Sequence, residues 1–524
     1  MASRRTVLKM AAGAAALLPW RAFAEPAGAD ARFHDLLDSL TDASDLSPDA
    51  AAAGPIADAR LTRLLAFDPS GLSAAARLDY DGIVEGAACE AALCATNPYG
   101  LAGAGQSPYA LSPRSGAYLT APGIVKNGPP EALATLASTI AGETRRLAEA
   151  GAAGIVPPDF ILDATLAKVS ASRDASPAAL TAALDAQIAA LTALRPHAPR
   201  DAGVWRQPNG AAYYAAALAY GTTLDIAPDA AHAQGLEQVR DLSARAEPLL
   251  RAQGLTTGSV GARLHALAQD PRYLYGDDDA GRAKAVADMN AQLARVRPLL
   301  GTAFRGLSPG AIAVALAGPG LIGYRKAPSY DGKTAGAYYV DLRNIRRRPD
   351  WSLATVVHHE TLPGHLLQLP LQEHAAPPPL RLRYNSNAYF EGWAIYAEQL
   401  ADEMGLMDGD DRARLGFLQS LLVRAGRLVV DTGIHSQRWS RAEAIARFFD
   451  IAGDAPDTFE NEVDRIVVQP GLTAGPALGT AAILRLREAA KTRAGFNLTD
   501  FHAVILSRGA MRLSLLDRAV ALPA

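Results

Sequence analysis

Val356-Val357-His358-His359-Glu360-Thr361-Leu362-Pro363-Gly364-His365 carries three of the ten histidines of the chain, with a glutamate among them. Imidazoles and a carboxylate this close, beside an apolar run, are what a catalytic zinc site needs. Imidazole nitrogen binds zinc as a neutral donor, and a nearby glutamate can take a proton from water. The common spacing for such a site is H-E-x-x-H, in which about one helical turn sets both histidines on one face. Here the next histidine after His359 is six positions on. At ~100° per residue, an unbroken helix points His359 and His365 roughly 120° apart. His358 and His365 share a face but lie about two turns, ~10 Å, apart along the axis. Neither pair can hold one ion on a straight helix. Pro363 and Gly364 lie in the gap. Proline disfavours helical geometry at Leu362 and removes an amide donor, and glycine permits unusual dihedrals. Either there is no site, or the helix breaks here and the break absorbs two extra residues.

A catalytic zinc usually has three protein ligands and an open position. Glu391 is the best candidate for the third. It lies in the next strong helical pattern, Asn385 to Met404, beside Gly392, which allows close backbone approach. Glu398 falls on nearly the same face two turns on and is placed to orient a ligand histidine. Both have Phe390, Trp393, Ile395 and Tyr396 for neighbours. A carboxylate among large apolar groups is buried and partnered more often than idle. Glu360 is the candidate general base.

His359-Glu360-Thr361-Leu362-Pro363-Gly364-His365 followed by Phe390-Glu391-Gly392-Trp393-Ala394-Ile395-Tyr396-Ala397-Glu398 resembles the bacterial domain-of-unknown-function 885 (DUF885) family. Its members share an H-E-x-x-P-G-H segment and a downstream E-G-W-A-x-Y-x-E segment. Asp331 to Val340 and Asp431 to His435 also fit its pattern. The resemblance implies a relation to gluzincin metallopeptidases, with a mostly helical fold, a small sheet and a deep cleft. It also implies zinc held by His359, His365 and Glu391, with Glu360 as base. The chain departs from the family near its C-terminus. The pattern P-G-Q-A-x-x-Y-x-x-G reads here Pro470-Gly471-Leu472-Thr473-Ala474-Gly475-Pro476-Ala477-Leu478-Gly479. A cleft tyrosine is a natural donor to the oxyanion of a tetrahedral intermediate, and Pro476 replaces it. His435 is the leading substitute, with Tyr338, Tyr339 and Arg465 as others.

Outward from the histidines, Ala311 to Leu316 and Ala337 to Leu342 have strand composition, and Asp331-Gly332 marks a turn between them. A sheet there presents an edge to which a peptide can add as a strand. Upstream, alanine-rich helical patterns run over 31–40, 75–94, 129–150, 157–172, 177–194, 229–253 and 279–300. Gly254 to Gly261 lacks the Lys-Ser/Thr of a phosphate loop. Downstream, helices are expected over 411–430, from Ser440, over 480–493 and over 498–508, with 464–479 rich in loop. The expected fold is therefore mainly α, a large helical fold with a small β-sheet beside the histidine helix. Residues 25–310 form a helical region and 311–524 a metal-binding region, as one continuous compact unit.

Ser3-Arg4-Arg5-Thr6-Val7-Leu8-Lys9, the apolar run Met10 to Leu18 and Ala22-Phe23-Ala24 have the layout of a secretory signal of twin-arginine type over residues 1–24. That implies a periplasmic or secreted protein. No later stretch reaches the ~18 uncharged apolar residues of a membrane helix. The 524 residues are 49% hydrophobic and 20% charged, with a net charge of −3. This is globular composition without the basic excess that a nucleic-acid partner needs. Cys89 and Cys94, five apart in a helical pattern, diverge too far for a disulfide. His34, His197, His232, His265, His374 and His502 are scattered and read as surface or core residues.

These features point to an exported zinc-dependent hydrolase of peptide or amide bonds, acting on a peptide or an amide-containing small molecule. Two other readings remain open. One keeps the metal but makes a lyase or a tailoring enzyme on an amide-containing metabolite. The other is a non-catalytic binding protein on a degenerate peptidase scaffold, against which the intact Glu360 argues.

Overall fold

A computed structural model of the chain describes residues 28–40, 53–103, 105–305, 310–384 and 387–522. The signal reading of residues 1–24 lies outside them. The described chain is mainly helical, with one small sheet. It divides into two compact units. Among the described residues, one comprises those up to Ala217 with Arg438–Ser440 and Val467–Pro470; the other comprises those in Leu218–Gln437, Arg441–Ile466 and from Gly471 onward. The division falls upstream of the 310/311 boundary read from composition.

In the first unit the helix Ala178–Leu194 packs on both Pro130–Ala152 and Asp159–Asp174. Their shared core includes Ile140, Leu147, Val169, Leu180, Leu184 and Leu191. Proline sits at the first turn of Pro130–Ala152, where its missing amide costs no hydrogen bond. Cys89 and Cys94 both lie on the helix Ala74–Thr96, and no disulfide joins them.

The second unit holds the sheet and the histidines. Helix α1 (Asp279–Val296) precedes strands β1 (Ile312–Leu316), β2 (Tyr324–Lys326) and β3 (Gly336–Val340). The order is β1-β3-β2, with β1 parallel and β2 antiparallel to β3. Asn290 of α1 closes the outer edge of β1. Its Nδ2 donates to Val314 O at 2.8 Å, and its Oδ1 accepts from Val314 N at 2.9 Å. The two-residue period of a strand sorts β3 into two faces. Tyr338 is buried, whereas Tyr339 stacks on its cross-strand partner Tyr324 at 4.4 Å. Arg325 is paired with Tyr338 in register and so shares its face.

Then come α2 (Leu353–Glu360), α3 (His365–Ala375), α4 (Asn387–Glu403), α5 (Asp411–His435) and α6 (Gly475–Lys491). Two segments correct the expected loop over 464–479. Its first residues belong to the helix Pro456–Val468, and α6 begins at Gly475. Pro476 is a helix-start proline in the first turn of α6. The glycines at the crossing of α4 and α6 are spacers for close packing. A Cβ on Gly479 would lie 1.9 Å from Ala388 O, and one on Gly392 would lie 2.8 Å from Gly479 Cα. Thr480 Oγ1 donates to Gly392 O at 3.1 Å across the same crossing of α4 and α6.

One scattered histidine is a pH-sensitive core element. His502 is fully buried, bonded through Nε2 to the Tyr396 hydroxyl at 2.6 Å and through Nδ1 to Ala303 O at 2.8 Å. Burial pushes its pKa down to about 4. The unfolded chain therefore binds a proton below about pH 6.5 that the folded chain refuses until about pH 4. His502 stability is complete above pH 6.5 and is lost as pH falls towards 4, at a cost on the order of 3 kcal/mol. Urea unfolding of the parent and of His502→Gln at pH 7 and pH 4.5 should show a steeper acid loss in the parent. Parallel pH profiles would refute this assignment.

Candidate metal centre

The helix carrying the histidines is broken. α2 ends at Glu360, and α3 begins at His365. Thr361 leaves the helical region at φ −114°, ψ −104°, and Gly364 follows at φ −80°, ψ −131°. The Leu362–Pro363 peptide between them is cis. Thr361 caps the end of α2, its hydroxyl donating to Val357 O at 2.6 Å. Trp393 of α4 donates from Nε1 to Pro363 O at 3.1 Å, which pins the break against α4.

The break re-aims His365 across His359. Their ring centroids are 4.9 Å apart, and the planes are perpendicular. His359, His365 and Glu391 each present one ligand atom, and these atoms all lie within 4.8 Å of one another. Glu391 faces both imidazoles, at 3.3 Å from His359 Nε2 and 3.6 Å from His365 Nε2. Partners on the far side fix both rings. His359 Nδ1 donates to Glu398 Oε1 at 2.8 Å, while Thr355 Oγ1 donates to the other Glu398 oxygen at 2.5 Å. His365 Nδ1 donates to Gln368 Oε1 at 3.2 Å, and its ring stacks on Phe390 at 4.1 Å. With Nδ1 committed as donor, each ring in its neutral form would turn an Nε2 lone pair inward.

The electrostatics of this cluster call for a positive charge. Burial lowers the pKa of His359, but hydrogen bonds to Glu391 and Glu398 outweigh it and raise the group to about 9. Burial raises Glu391, yet the two histidines hold it well below the usual carboxylate range. Burial pushes His365 down, towards the neutral ligand form. His365 Nε2 has no hydrogen-bond partner and no solvent. Two imidazoles and a carboxylate, with this orphaned lone pair aimed at the common centre, fit a divalent ion of zinc type. His358 is different. Its Nε2 accepts from Gln292 of α1 at 3.0 Å, and burial lowers its pKa to about 4, so it is a neutral packing residue.

Glu360 closes α2 beside the cluster and is ion-paired with Arg325 of β2. The Arg325 guanidinium also lies over the Phe390 ring, 5.7 Å from its centre. Arg325, Thr355, Gln368 and Phe390 were not singled out from the sequence. Arg325 is 35 residues from its partner, and only the sheet register places it there. Gln368 and Phe390 adjoin singled-out residues, so the helical period from His365 and the position before Glu391 were available signals.

The four candidate oxyanion donors separate. Tyr338 is near Glu360: burial raises its phenol to about 12, and the Glu360 charge adds to the shift. Tyr339 lies on the opposite face against Tyr324. Arg465 sits 3.5 Å from Glu462. His435 ends α5 fully buried, with Nε2 3.1 Å from Ile466 O, and neither His435 nor Tyr338 lines the cavity beside Glu360. That cavity, of about 420 Å³, is bordered by Thr355, His359, Glu360 and Glu398. Asp431 accepts from Gly471 N at 2.9 Å and Thr473 Oγ1 at 3.1 Å, anchoring the segment in which Pro476 replaces the expected tyrosine.

Comparison with solved structures finds the same fold in other bacteria. A protein from Colwellia psychrerythraea described as a "putative lipoprotein" matches with a TM-score of 0.78 at 26% identity, covering 94% of this chain and 98% of its own. A "putative lipoprotein of unknown function" from Shewanella oneidensis matches with a TM-score of 0.68 at 17% identity, covering 95% of this chain and 100% of its own. A comparison with curated proteins gave no match. The family described as "Bacterial protein of unknown function (DUF885)" matches residues 27–520, and the chain belongs to it.

Proposed function

We propose that the protein is an exported, zinc-dependent hydrolase of peptide or amide bonds, with a gluzincin-like cleft. The carrying observation is the convergence of one ligand atom each from His359, His365 and Glu391 within 4.8 Å, next to the Glu360 carboxylate that is ion-paired with Arg325. His359, His365 and Glu391 would hold the ion. When bound, zinc supplies Lewis-acid polarisation of a carbonyl and acidifies water. Glu360 accepts the proton from the attacking water and returns it to the leaving amine. Arg325 holds the Glu360 carboxylate in place through its ion pair. Tyr338, buried and protonated at neutral pH, is a hydrogen-bond donor beside Glu360 suited to the developing oxyanion. Glu398 and Gln368 keep the two rings in the ligand tautomer. Export is supported by the description of the Colwellia psychrerythraea relative as a "putative lipoprotein" and by the layout of residues 1–24. No helix among the described residues is long and apolar enough to cross a membrane.

Metal analysis of the purified protein tests the centre. One zinc per chain is expected, and His365→Ala should lose it under the same dialysis. Full stoichiometry in His365→Ala would refute the ligand set.

A further inference from the structure

The cavity of about 420 Å³ beside Glu360 lies between α2 and α5. α2 presents Thr355, Val356 and His359 to it, and α5 presents Gln419, Ser420 and Val423, each set spaced as one helical face. His365, Glu391 and Arg325 do not line it. Glu398, which holds His359 Nδ1, does, so the cavity reaches the centre from the Glu398 side.

Three arginines and three carboxylates line this space. Most of these charges are answered. Arg347 is paired with Asp457 at 2.8 Å. Arg424 acts on the buried Glu398, which also binds His359 and Thr355. Glu360 is paired with Arg325. One group of each sign remains, Arg348 and Asp454, and both are half-buried. Neither has an ion-pair partner among the described residues. Asp454 Oδ1 accepts only from the adjacent Ala455 N, at 2.6 Å. Asp341 feels the charge of Arg348 but is bound by Arg343. Opposite charges that face one cavity without meeting each other are both satisfied by a molecule carrying the two complementary charges. A simple anion would leave Asp454 unanswered, and a simple cation Arg348.

We propose that this cavity is a second binding site, in which Arg348 takes the carboxylate and Asp454 the ammonium of a small zwitterion. The site is distinct from the hydrolytic centre and does not depend on that reading. Its volume suits a small molecule, and Val356 and Val423 offer apolar wall for the body of the ligand. A free amino acid and a dipeptide share this chemistry and differ in how far apart they hold the two charges.

Calorimetric titration of the zinc-loaded protein tests the site with probes that contain no amide bond. L-Leucine carries both charges at amino-acid spacing, and δ-aminovaleric acid carries them at about dipeptide spacing. Isocaproic acid lacks the ammonium of leucine, and isoamylamine lacks its carboxylate. At least one zwitterion should bind about tenfold or more tightly than either singly charged probe, the value of a charge-assisted pair. The tighter zwitterion identifies the spacing. Arg348→Gln should remove its advantage over isoamylamine, and Asp454→Asn its advantage over isocaproic acid, each at an unchanged melting temperature. His365→Ala should bind the same zwitterion as the parent does, because His365 lies outside the cavity. Absence of zwitterion binding, equal binding of a singly charged probe, or an advantage that survives in both charge variants would overturn the site. Binding abolished by His365→Ala would place the ligand on the metal centre and overturn it too.

Discussion

Replacing Glu360 by Gln is expected to lower turnover of a peptide or amide substrate by about 10²–10⁴-fold, the usual contribution of a positioned general base. The substitution keeps the shape of the side chain and removes only its capacity to accept a proton. Glu360 is not among the three groups that converge on the centre, so zinc content should remain that of the parent. Arg325 loses its charge partner but keeps its place over Phe390. The loss should therefore fall on kcat, with KM little changed. A mass-spectrometric screen over short peptides, run on parent and variant at equal metal content, measures the difference. Equal turnover by the two metal-loaded proteins would sink the hydrolase reading.

The histidine break was legible because the chemistry and the chain geometry disagreed. His359 and His365 cannot share an ion on a straight helix, and Pro363-Gly364 supplies a place for the helix to stop. The structure stops it there and brings the two rings to a common centre with Glu391. The mainly helical architecture was equally readable, from alanine-rich patterns whose ends lie within a few residues of the observed helices. The small sheet was readable from two of its three strands. β2 is only three residues long and carries an arginine and a lysine, so no strand period can emerge from it.

What stayed hidden depends on contacts between distant segments. Arg325 meets Glu360 because β2 is antiparallel to β3 in one particular register, and nothing local encodes that register. Gly475 and Gly479 fall in the stretch expected to be rich in loop, and glycine weakens a helix when only propensity is counted. Their use is tertiary: α6 crosses α4 so closely that a side chain at Gly479 would strike Ala388 O.

Gly364 tests the link between the break and the centre most severely. The space around Gly364 is what an added side chain meets first. A Cβ there would fall 2.0 Å from His359 O and 2.4 Å from His358 O, both backbone atoms at the end of α2. Real Cβ atoms do not approach so closely, and no side-chain rotation can relieve the contact. Gly364→Ala must therefore push α3 away from α2, at a cost above about 4 kcal/mol, the range of severe core lesions. The same displacement separates His365 from His359, so zinc should be lost along with stability. Gly142→Ala is the control. Gly142 is helical, and an added Cβ meets nothing within 4 Å, so alanine should raise stability by up to about 1 kcal/mol. Melting temperature and zinc content of the two variants separate a local clash from a general intolerance of alanine. A Gly364→Ala protein with the parent's melting temperature and metal content would mean that the α2–α3 break is not what sets the spacing of the two histidines.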